Sequence, residues 1–255
     1  MSKDFLTFLG TAGGRVAVFR QLRYSGGMWL TLEGINILID PGPGSLIRIF
    51  EFGFDPEDIN IIVVSHRHLD HSADLNTVIE ASSKSTSKPI DMLVAPNDVV
   101  FGDDPILLKY LHKGVKNFCI VDENKEFSFK DIKIRGIVKH IHSYAETFGL
   151  EISSKSKKVV YVPCGKFYER MLYTYPHGAD LEILNTTFPK NSYHYKHLSA
   201  EDVKKILKVH KPKRAVITHF SPYILRENPE KIAEEIYRET SIPTVAAKDG
   251  MKLDF

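Results

Sequence analysis

Short apolar runs separated by turn-forming residues dominate the N-terminal part of the chain, and this pattern is typical of β-strands. Three such runs predict strands at 5–9, 29–32 and 35–39. Glu33-Gly34, between the last two runs, predicts a hairpin turn. The run at 59–64 is continuous and β-branched, as expected for a strand buried on both faces. Because it ends at Ser65, the following residues are expected on a loop that leaves a sheet.

The pattern then changes to helical spacing. Ser72 has a side chain suited to a helix N-cap, residues 73–81 carry apolar positions at helical spacing, and 92–95 predicts a returning strand. Later strands are predicted at 132–138, 148–152, 159–162, 181–184 and 215–218, and helices at 200–209 and 229–239. This order predicts an α/β fold in which two sheets pack face to face with helices outside. The chain has no internal repeat or long linker, so we expect one domain over residues 1–255.

Composition excludes several classes of protein. A formal net charge of +2 is too small to indicate a nucleic-acid-binding face by itself. No apolar run approaches the roughly 20 residues of a membrane span, and the charged start of the chain is unlike a secretory signal. We therefore expect a cytoplasmic protein without a membrane partner. Cys119 and Cys164 are too few for a disulfide framework.

Four metal-competent side chains follow the strand predicted at 59–64. They are His66, His68, Asp70 and His71. Alternate residues of an extended loop point the same way, so His66 and His68 are expected to bind one ion. Asp70 and His71 would then reach a neighbouring ion. Imidazole and carboxylate ligands suit Zn²⁺, and also iron or manganese. The cluster predicts a site for two divalent metal ions, with Zn²⁺ as the first expectation.

Such a site needs ligands from later in the chain, because a catalytic metal is held by about three protein side chains and a water. Suitable side chains follow three of the predicted strands. They are His140 and His142, then Cys164, then His219. We expect all of these strand ends to meet at one edge of the sheets.

These motifs resemble the metallo-β-lactamase superfamily, whose signature is a His-x-His-x-Asp-His loop followed by His, Asp or Cys, and His ligands. Phe8-Leu9-Gly10-Thr11 and Ile39-Asp40-Pro41-Gly42 are similar to early motifs of the superfamily. His197-Leu198-Ser199 and Thr218-His219-Phe220-Ser221-Pro222 resemble its ribonuclease Z-like branch. The resemblance covers nearly the whole chain and implies a metal-dependent hydrolase with a four-layer αββα sandwich.

The resemblance also implies which residues bind the metal ions. The ligands of the first ion would be His66, His68 and a later histidine. The ligands of the second ion would be Asp70, His71 and His219. For the later histidine we expect His142 rather than His140, because its distance from Phe148-Gly149 is similar to the spacing in the ribonuclease Z-like branch.

Two further positions each have two interpretations. Asp40 would either orient a ligand histidine through the second ring nitrogen or cap a loop. Cys164 stands where most of the superfamily has a metal-bridging aspartate. A thiolate is a good Zn²⁺ ligand, and the true β-lactamases of the superfamily use a cysteine at the matching place, so Cys164 is a candidate ligand of the second metal. The alternative is a buried, inert cysteine.

The implied reaction is metal-assisted hydrolysis, in which metal ions activate water near neutral pH. Asp70 would orient the attacking water, and His197 would protonate the leaving group. Alternatively, His197 would cap the helix at 200–209 together with Ser199. The expected substrate is a phosphodiester, either a small molecule or a nucleotide. RNA is compatible, although residues 81–91 are too few to form a tRNA-binding arm, and a homo-oligomer is also compatible.

Two alternative functions use the same centre. An ester or lactone hydrolase would need a group that binds the carbonyl oxygen, for which the candidates are Tyr144, Tyr193 and Tyr195. A non-hydrolytic metal, redox or sensor protein would bind metal without turnover. Metal identity separates these functions, since coloured iron favours redox use and colourless Zn²⁺ favours hydrolysis.

Overall fold

Two β-sheets packed face to face form the centre of the protein, which a computed structural model describes over residues 4–191 and 195–255. Within these residues, the first sheet contains β1 (Phe5–Phe8), β2 (Met28–Leu32), β3 (Ile35–Ile39), β4 (Ile61–Val63), β5 (Ile90–Ala95), β6 (Val115–Ile120) and β15 (Lys252–Asp254). Its strand order is β15-β1-β2-β3-β4-β5-β6. β3, β4, β5 and β6 run parallel, so their carboxyl ends lie at one edge.

The second sheet is built from the later part of the chain. Its described strands are β7 (Glu126–Phe129), β8 (Ile132–Lys139), β9 (Phe148–Ser153), β10 (Lys158–Val162), β11 (Leu181–Phe188), β12 (Leu198–Ser199), β13 (Ala215–Thr218) and β14 (Thr244–Ala246). The order is β14-β13-β11-β10-β9-β8-β7, with β12 beside β11. β10, β11 and β13 are parallel, which brings their carboxyl ends together.

Helices cover the outer faces of both sheets. In the described residues they are α1 (Gly14–Phe19), α2 (Ser45–Glu51), α3 (Leu69–Ser72), α4 (Leu75–Ser82), α5 (Asn97–Val100), α6 (Arg170–Thr174), α7 (Ala200–His210), α8 (Pro222–Glu227) and α9 (Pro229–Thr240). None of these helices is long and apolar enough to cross a membrane.

Three apolar clusters hold these layers together. Side chains from both sheets fill the space between them, among them Leu30, Ile61, Leu150 and Ile183. Helices α2, α4 and α5 pack on the outer face of the first sheet, and α6 to α9 pack on the second. Burial of each large apolar side chain contributes about 1.5–3 kcal/mol to folding. The layer order confirms the predicted αββα sandwich.

Most predicted elements are present, with shifted ends. At the hairpin, Glu33 and Gly34 have φ angles of 49° and 77°, as a two-residue turn with positive φ requires. The predicted strand at 59–64 is shorter in the structure, where β4 covers Ile61–Val63 and all three of these residues are buried. The predicted strand at 181–184 continues to Phe188 as β11.

The prediction of Ser72 as a helix N-cap is wrong. Ser72 is the last residue of α3, and its hydroxyl donates hydrogen bonds to the carbonyl oxygens of Arg67 and His68. The next helix, α4, begins at Leu75. The chain therefore makes a helical turn through Asp70 and His71 instead of continuing as an extended loop. This turn changes the direction of both side chains relative to His66 and His68.

Candidate metal centre

The first group of donors lies where β4 and β8 end. His66, His68 and His142 each offer one ligand atom, and these atoms lie within 4.8 Å of one another. Nε2 of His142 is 3.0 Å from Nδ1 of His68. The three ring centroids are 4.7–4.9 Å apart and almost equidistant. We call this the first donor group.

A second group of donors lies beside the first. Asp70 and His71 come from α3, and His219 follows β13. Nε2 of His219 lies 3.2 Å from Nε2 of His71 and 3.3 Å from Oδ2 of Asp70. The ligand atoms of this second donor group also lie within 4.8 Å of one another. The helical turn of α3 is what directs Asp70 and His71 towards His219.

Cys164 lies between the two donor groups. Its side chain is buried at 1% exposure, after the end of β10. Sγ is 3.3 Å from Nε2 of His219 and 3.5 Å from Nε2 of His71. It is also within 4.8 Å of ligand atoms of His66 and His142. Its thiol therefore faces both groups.

His197 adjoins the same space. Its ligand atom lies within 4.8 Å of those of His142 and Cys164, and its ring stacks with that of His219 at a centroid distance of 5.8 Å. Nδ1 of His197 is buried without a hydrogen-bond partner in the described part of the chain. The helix cap is supplied by Ser199, whose side chain accepts from the backbone of Asp202.

An aromatic wall borders the centre next to His197. Phe188, at the end of β11, stacks with Tyr195 at 5.2 Å and contacts the ring of Tyr223 at 5.8 Å. Tyr195 and Tyr223 are each 54% exposed. The wall thus presents accessible ring surface close to the donors.

Asp40 is the centre of a buried hydrogen-bond network. Its carboxylate accepts from Nδ1 of His71 at 2.8 Å, from the hydroxyl of Tyr161 at 2.7 Å, and from the backbone and hydroxyl of Ser65. Asn185 donates to Tyr161 and to Sγ of Cys164. Asp40 has a φ of 50°, an uncommon conformation for a non-glycine residue. Asp40 thus contacts the His71 ring and also caps the backbone of the loop at Ser65, so the contacts of both interpretations are present.

Other donors are oriented through the second ring nitrogen in the same way. Nδ1 of His219 is 2.9 Å from the hydroxyl of Thr187, and Nδ1 of His142 is 2.9 Å from the carbonyl oxygen of Lys196. Nδ1 of His66 is 3.0 Å from the hydroxyl of Ser65. Such contacts fix the ring and its tautomer, which leaves the opposite nitrogen directed into the centre.

The two donor groups differ in charge. Burial lowers the pKa of His142 to about 4, and burial together with His71 lowers that of His66. Burial opposes ionisation of His219 as well, but Cys164 and Asp70 raise its pKa to about 9. Burial raises the pKa of the Cys164 thiol, and His219 and His71 outweigh it and hold that pKa well below its usual value. The first donor group is therefore uncharged, while the second combines the Asp70 carboxylate and the neighbouring Cys164 thiolate with two histidines, His71 and His219, whose pKa is raised.

These features fit bound cations. Nε2 of His66 is fully buried and has no hydrogen-bond partner among the described residues. Nε2 of His142 and Nδ1 of His68 lie 3.0 Å apart, so a proton or a cation between them can be shared by both rings. Histidine nitrogens with a thiolate and a carboxylate are the donors that Zn²⁺ prefers.

His140 does not point into the centre. Its Nδ1 is 2.9 Å from the carbonyl oxygen of Cys164, and its Nε2 is 2.6 Å from the hydroxyl of Tyr175. Both ring nitrogens of His140 are thus engaged, whereas His142 lies in the first donor group, and its role as a ligand stays a prediction. Tyr144 is fully exposed, and Tyr193 lies outside the described residues.

Four supporting side chains were not found from the sequence. They are Ser65, Tyr161, Asn185 and Thr187. The last two lie on β11, where polar residues follow an apolar run although every residue before Phe188 is buried. A polar side chain in a fully buried strand needs a hydrogen-bond partner, and that signal points to a site.

Close backbone approach also shapes the centre. A Cβ atom at Gly13 would overlap the ring of His219, and one at Gly42 would overlap the carbonyl oxygen of Asp70. Glycine at these two positions lets the loops before α1 and α2 pack directly against the second donor group.

Comparison with known proteins identifies relatives of the chain. A family model described as a beta-lactamase superfamily domain matches residues 35–220. An uncharacterized protein of Methanocaldococcus jannaschii is 25% identical over 98% of this chain and 94% of its own length. The ribonuclease Z of Methanopyrus kandleri is 36% identical over 70 residues, which are 28% of this chain and 24% of that protein.

Solved structures share the architecture over its whole length. The metallo-beta-lactamase fold protein YhfI from Bacillus subtilis covers 100% of both chains with a TM-score of 0.82 and 18% identity. A diphosphatase from the PhnP family covers 99% of this chain and 98% of its own, with a TM-score of 0.72 and 21% identity. The short form of human tRNase Z covers 98% of both chains with a TM-score of 0.74 and 18% identity.

These matches agree with the histidine motif and with the layers of the fold. The family model covers more than half of the chain, from β3 to the residue after His219. The predicted superfamily, fold and enzyme class are therefore confirmed, and binding of divalent metal follows from them. The chain belongs to the β-lactamase superfamily, as a metal-dependent hydrolase with the metallo-β-lactamase fold.

Proposed function

We propose that the protein hydrolyses a phosphodiester with two divalent metal ions, Zn²⁺ being the first choice. The observation that carries this proposal is the pair of adjacent donor groups with Cys164 between them. The first donor group would hold one ion and the second donor group the other. Cys164 would ligate the second ion, because Sγ lies 3.3–3.5 Å from the nearest nitrogens of His71 and His219.

Several residues would maintain the ligands in position. When bound, divalent metal ions lower the pKa of water towards neutrality and polarise the phosphoryl oxygen. Asp40 and Thr187 hold the rings of His71 and His219 by hydrogen bonds at 2.8 and 2.9 Å. The Asp70 side chain is 18% exposed, so an incoming water can reach the carboxylate and be oriented by it.

His197 is the proposed proton donor to the leaving oxygen. It adjoins both donor groups, and its buried Nδ1 has no partner in the described residues. An imidazole can release a proton near neutral pH, which suits the departure of an alkoxide. Two proteins of similar structure are named as a diphosphatase and a tRNase Z, and these names support a phosphoester as the substrate class. We also propose that the protein is located in the cytoplasm.

The test combines metal analysis and turnover. Protein purified without added metal is analysed for bound metal per chain, and hydrolysis of bis-p-nitrophenyl phosphate is measured for wild type and His68→Ala. We expect about two equivalents of Zn²⁺ and loss of turnover in His68→Ala. His177→Ala is the matched control, because His177 is exposed and lies outside the donor groups.

Other outcomes would replace this proposal. One equivalent or none, with no turnover after Zn²⁺ is restored, would contradict it. Turnover of p-nitrophenyl acetate or a lactone without phosphodiester turnover would favour the ester or lactone hydrolase. Coloured, iron-containing protein without hydrolysis would favour a redox or sensor protein.

A further inference from the structure

A cleft next to the candidate metal centre has a strongly basic lining. It has a volume of about 540 Å³ and lies between α1 and α8. Arg20, Arg23 and Arg226 line it, against an apolar base that includes Val16, Pro222 and Leu225. Among the residues that the structure describes, no carboxylate lines this arginine cleft. The formal net charge of the whole chain is +2, so this concentration of positive charge is local.

The three guanidinium groups form no close ion pair in the described part of the chain. None of them has a carboxylate within 4.0 Å among the described residues, whereas Arg135 and Arg170 form ion pairs with glutamates. Arg23 attracts Glu230 electrostatically and lowers its pKa, but the two groups are farther apart than an ion pair. Glu230 forms its ion pair with Lys248, at 3.2 Å. Unpaired like charges around an apolar base repel one another and attract an anion from solvent.

The arginine cleft is lined by α1, by the residues directly after α1, and by α8, and both helices follow loops that pack at the second donor group. The backbone N–H of Gly13 donates to the carbonyl oxygen of Phe220 at 3.0 Å, directly before α1 and directly after His219. Pro222, which lines the cleft, is three residues from His219, so their Cα atoms are no more than about 11 Å apart. Tyr223 connects the aromatic wall, of which it is part, to the cleft, because the guanidinium of Arg226 lies 5.8 Å from its ring centroid.

We propose that the arginine cleft binds a phosphate group other than the one that is cleaved. Guanidinium groups bind phosphate oxygens through paired N–H donors. Three of them around one cleft provide the positive charge that attracts a phosphate anion. Where the phosphate belongs to the substrate, the inference rests on the proposed function and extends it. The substrate would then carry a second phosphate, and its ring system would contact the aromatic wall. A free phosphate is the other source of the same chemistry.

Calorimetric titration with inorganic phosphate at constant ionic strength tests the site without turnover. The metal-loaded wild type is compared with the double variant Arg20→Gln/Arg226→Gln. We expect a phosphate-binding event in the wild type that is at least tenfold weaker in the double variant. Arg15→Gln is the matched control, since Arg15 is an exposed arginine of α1 outside the cleft lining. Equal phosphate binding by wild type and double variant would overturn the proposal.

Kinetics then separates the two sources of phosphate. A dinucleoside monophosphate is compared with the same compound carrying a terminal phosphate at its 5′ or 3′ end. A gain in kcat/KM of about tenfold from one terminal phosphate, lost in the double variant, would assign the phosphate to the substrate. No gain, with calorimetric binding intact, would assign the cleft to free phosphate. Absence of all phosphodiester turnover in wild type would contradict the proposed function, while the calorimetric result would still decide the cleft.

Discussion

At the scale of single residues, His140 and His142 have opposite roles although only one residue separates them. His142 faces the other donors, with Nε2 3.0 Å from His68. His140 is buried at 4% exposure and joins Cys164 to Tyr175 through both ring nitrogens. One side chain thus belongs to the candidate centre and the other to the packing behind it.

Substitution of each histidine separates these roles. We expect His142→Ala to lose bound metal and turnover. Its Tm should stay close to the Tm of the metal-free wild type. His140→Ala removes the partner of two buried polar groups and should lower the free energy of unfolding by about 2–4 kcal/mol. Elemental analysis and denaturant unfolding measure both effects. Full metal content in His142→Ala would contradict its assignment.

Cys164 is the residue whose role most affects the second ion. If its thiolate is a ligand, Cys164→Ala lowers the metal content towards one equivalent, and Cys164→Asp restores the second. Co²⁺-substituted wild type should show a thiolate-to-cobalt charge-transfer band that both variants lack. Cys119→Ala is the matched control, since Cys119 lies in the core between the sheets. Two equivalents and an unchanged spectrum in Cys164→Ala would show that the cysteine is inert.

At the scale of elements, the start of α7 links stability to the centre. Ser199 caps this helix in a capping box with Asp202, and the same segment carries His197 two residues earlier. The side-chain cap satisfies a backbone N–H group that would otherwise be unpaired at the first turn.

Removing this cap should destabilise the protein measurably. We expect Ser199→Ala to lower the free energy of unfolding by about 1 kcal/mol. Ser199→Thr keeps the hydroxyl and should stay within about 0.5 kcal/mol of wild type. Urea unfolding monitored by circular dichroism provides the comparison. Equal stability of the alanine and threonine variants would show that the capping box contributes nothing.

At the scale of the whole molecule, the candidate metal centre joins the two halves of the sandwich. The His66–His71 segment leaves the first sheet, while His142, Cys164 and His219 leave the second. A cation bound between these segments would therefore stabilise the packing of one sheet on the other. The single domain over residues 1–255 and the oligomeric state stay predictions.

Metal removal should expose this contribution. With free Zn²⁺ at about 100 times its dissociation constant, binding adds about 2.7 kcal/mol to the stability of the folded state. For a chain of this size that corresponds to a rise in Tm of about 5–10 °C over the chelated protein. His66→Ala removes a ligand and should show a much smaller rise. A chelator-independent Tm in wild type would contradict metal binding between the sheets.

The sequence by itself determined the elements with long repeating patterns and the loop that carries the histidines. α7 and α9 are predicted because their apolar spacing extends over the whole helix, β4 because it lies in a continuous β-branched run, and His66 to His71 from local spacing alone. Short elements such as α1 and α8 contain too few apolar positions for a period to be recognised.

Only the tertiary structure decided how distant residues combine. It directs His142 into the candidate metal centre and His140 into the packing behind it, brings Asp40 to His71, and places Asn185 and Thr187 behind the donors. It also gathers three arginines into one cleft, although the net charge is small. Local propensity extends over a few residues, whereas these contacts depend on strand order and on the packing of one sheet against the other.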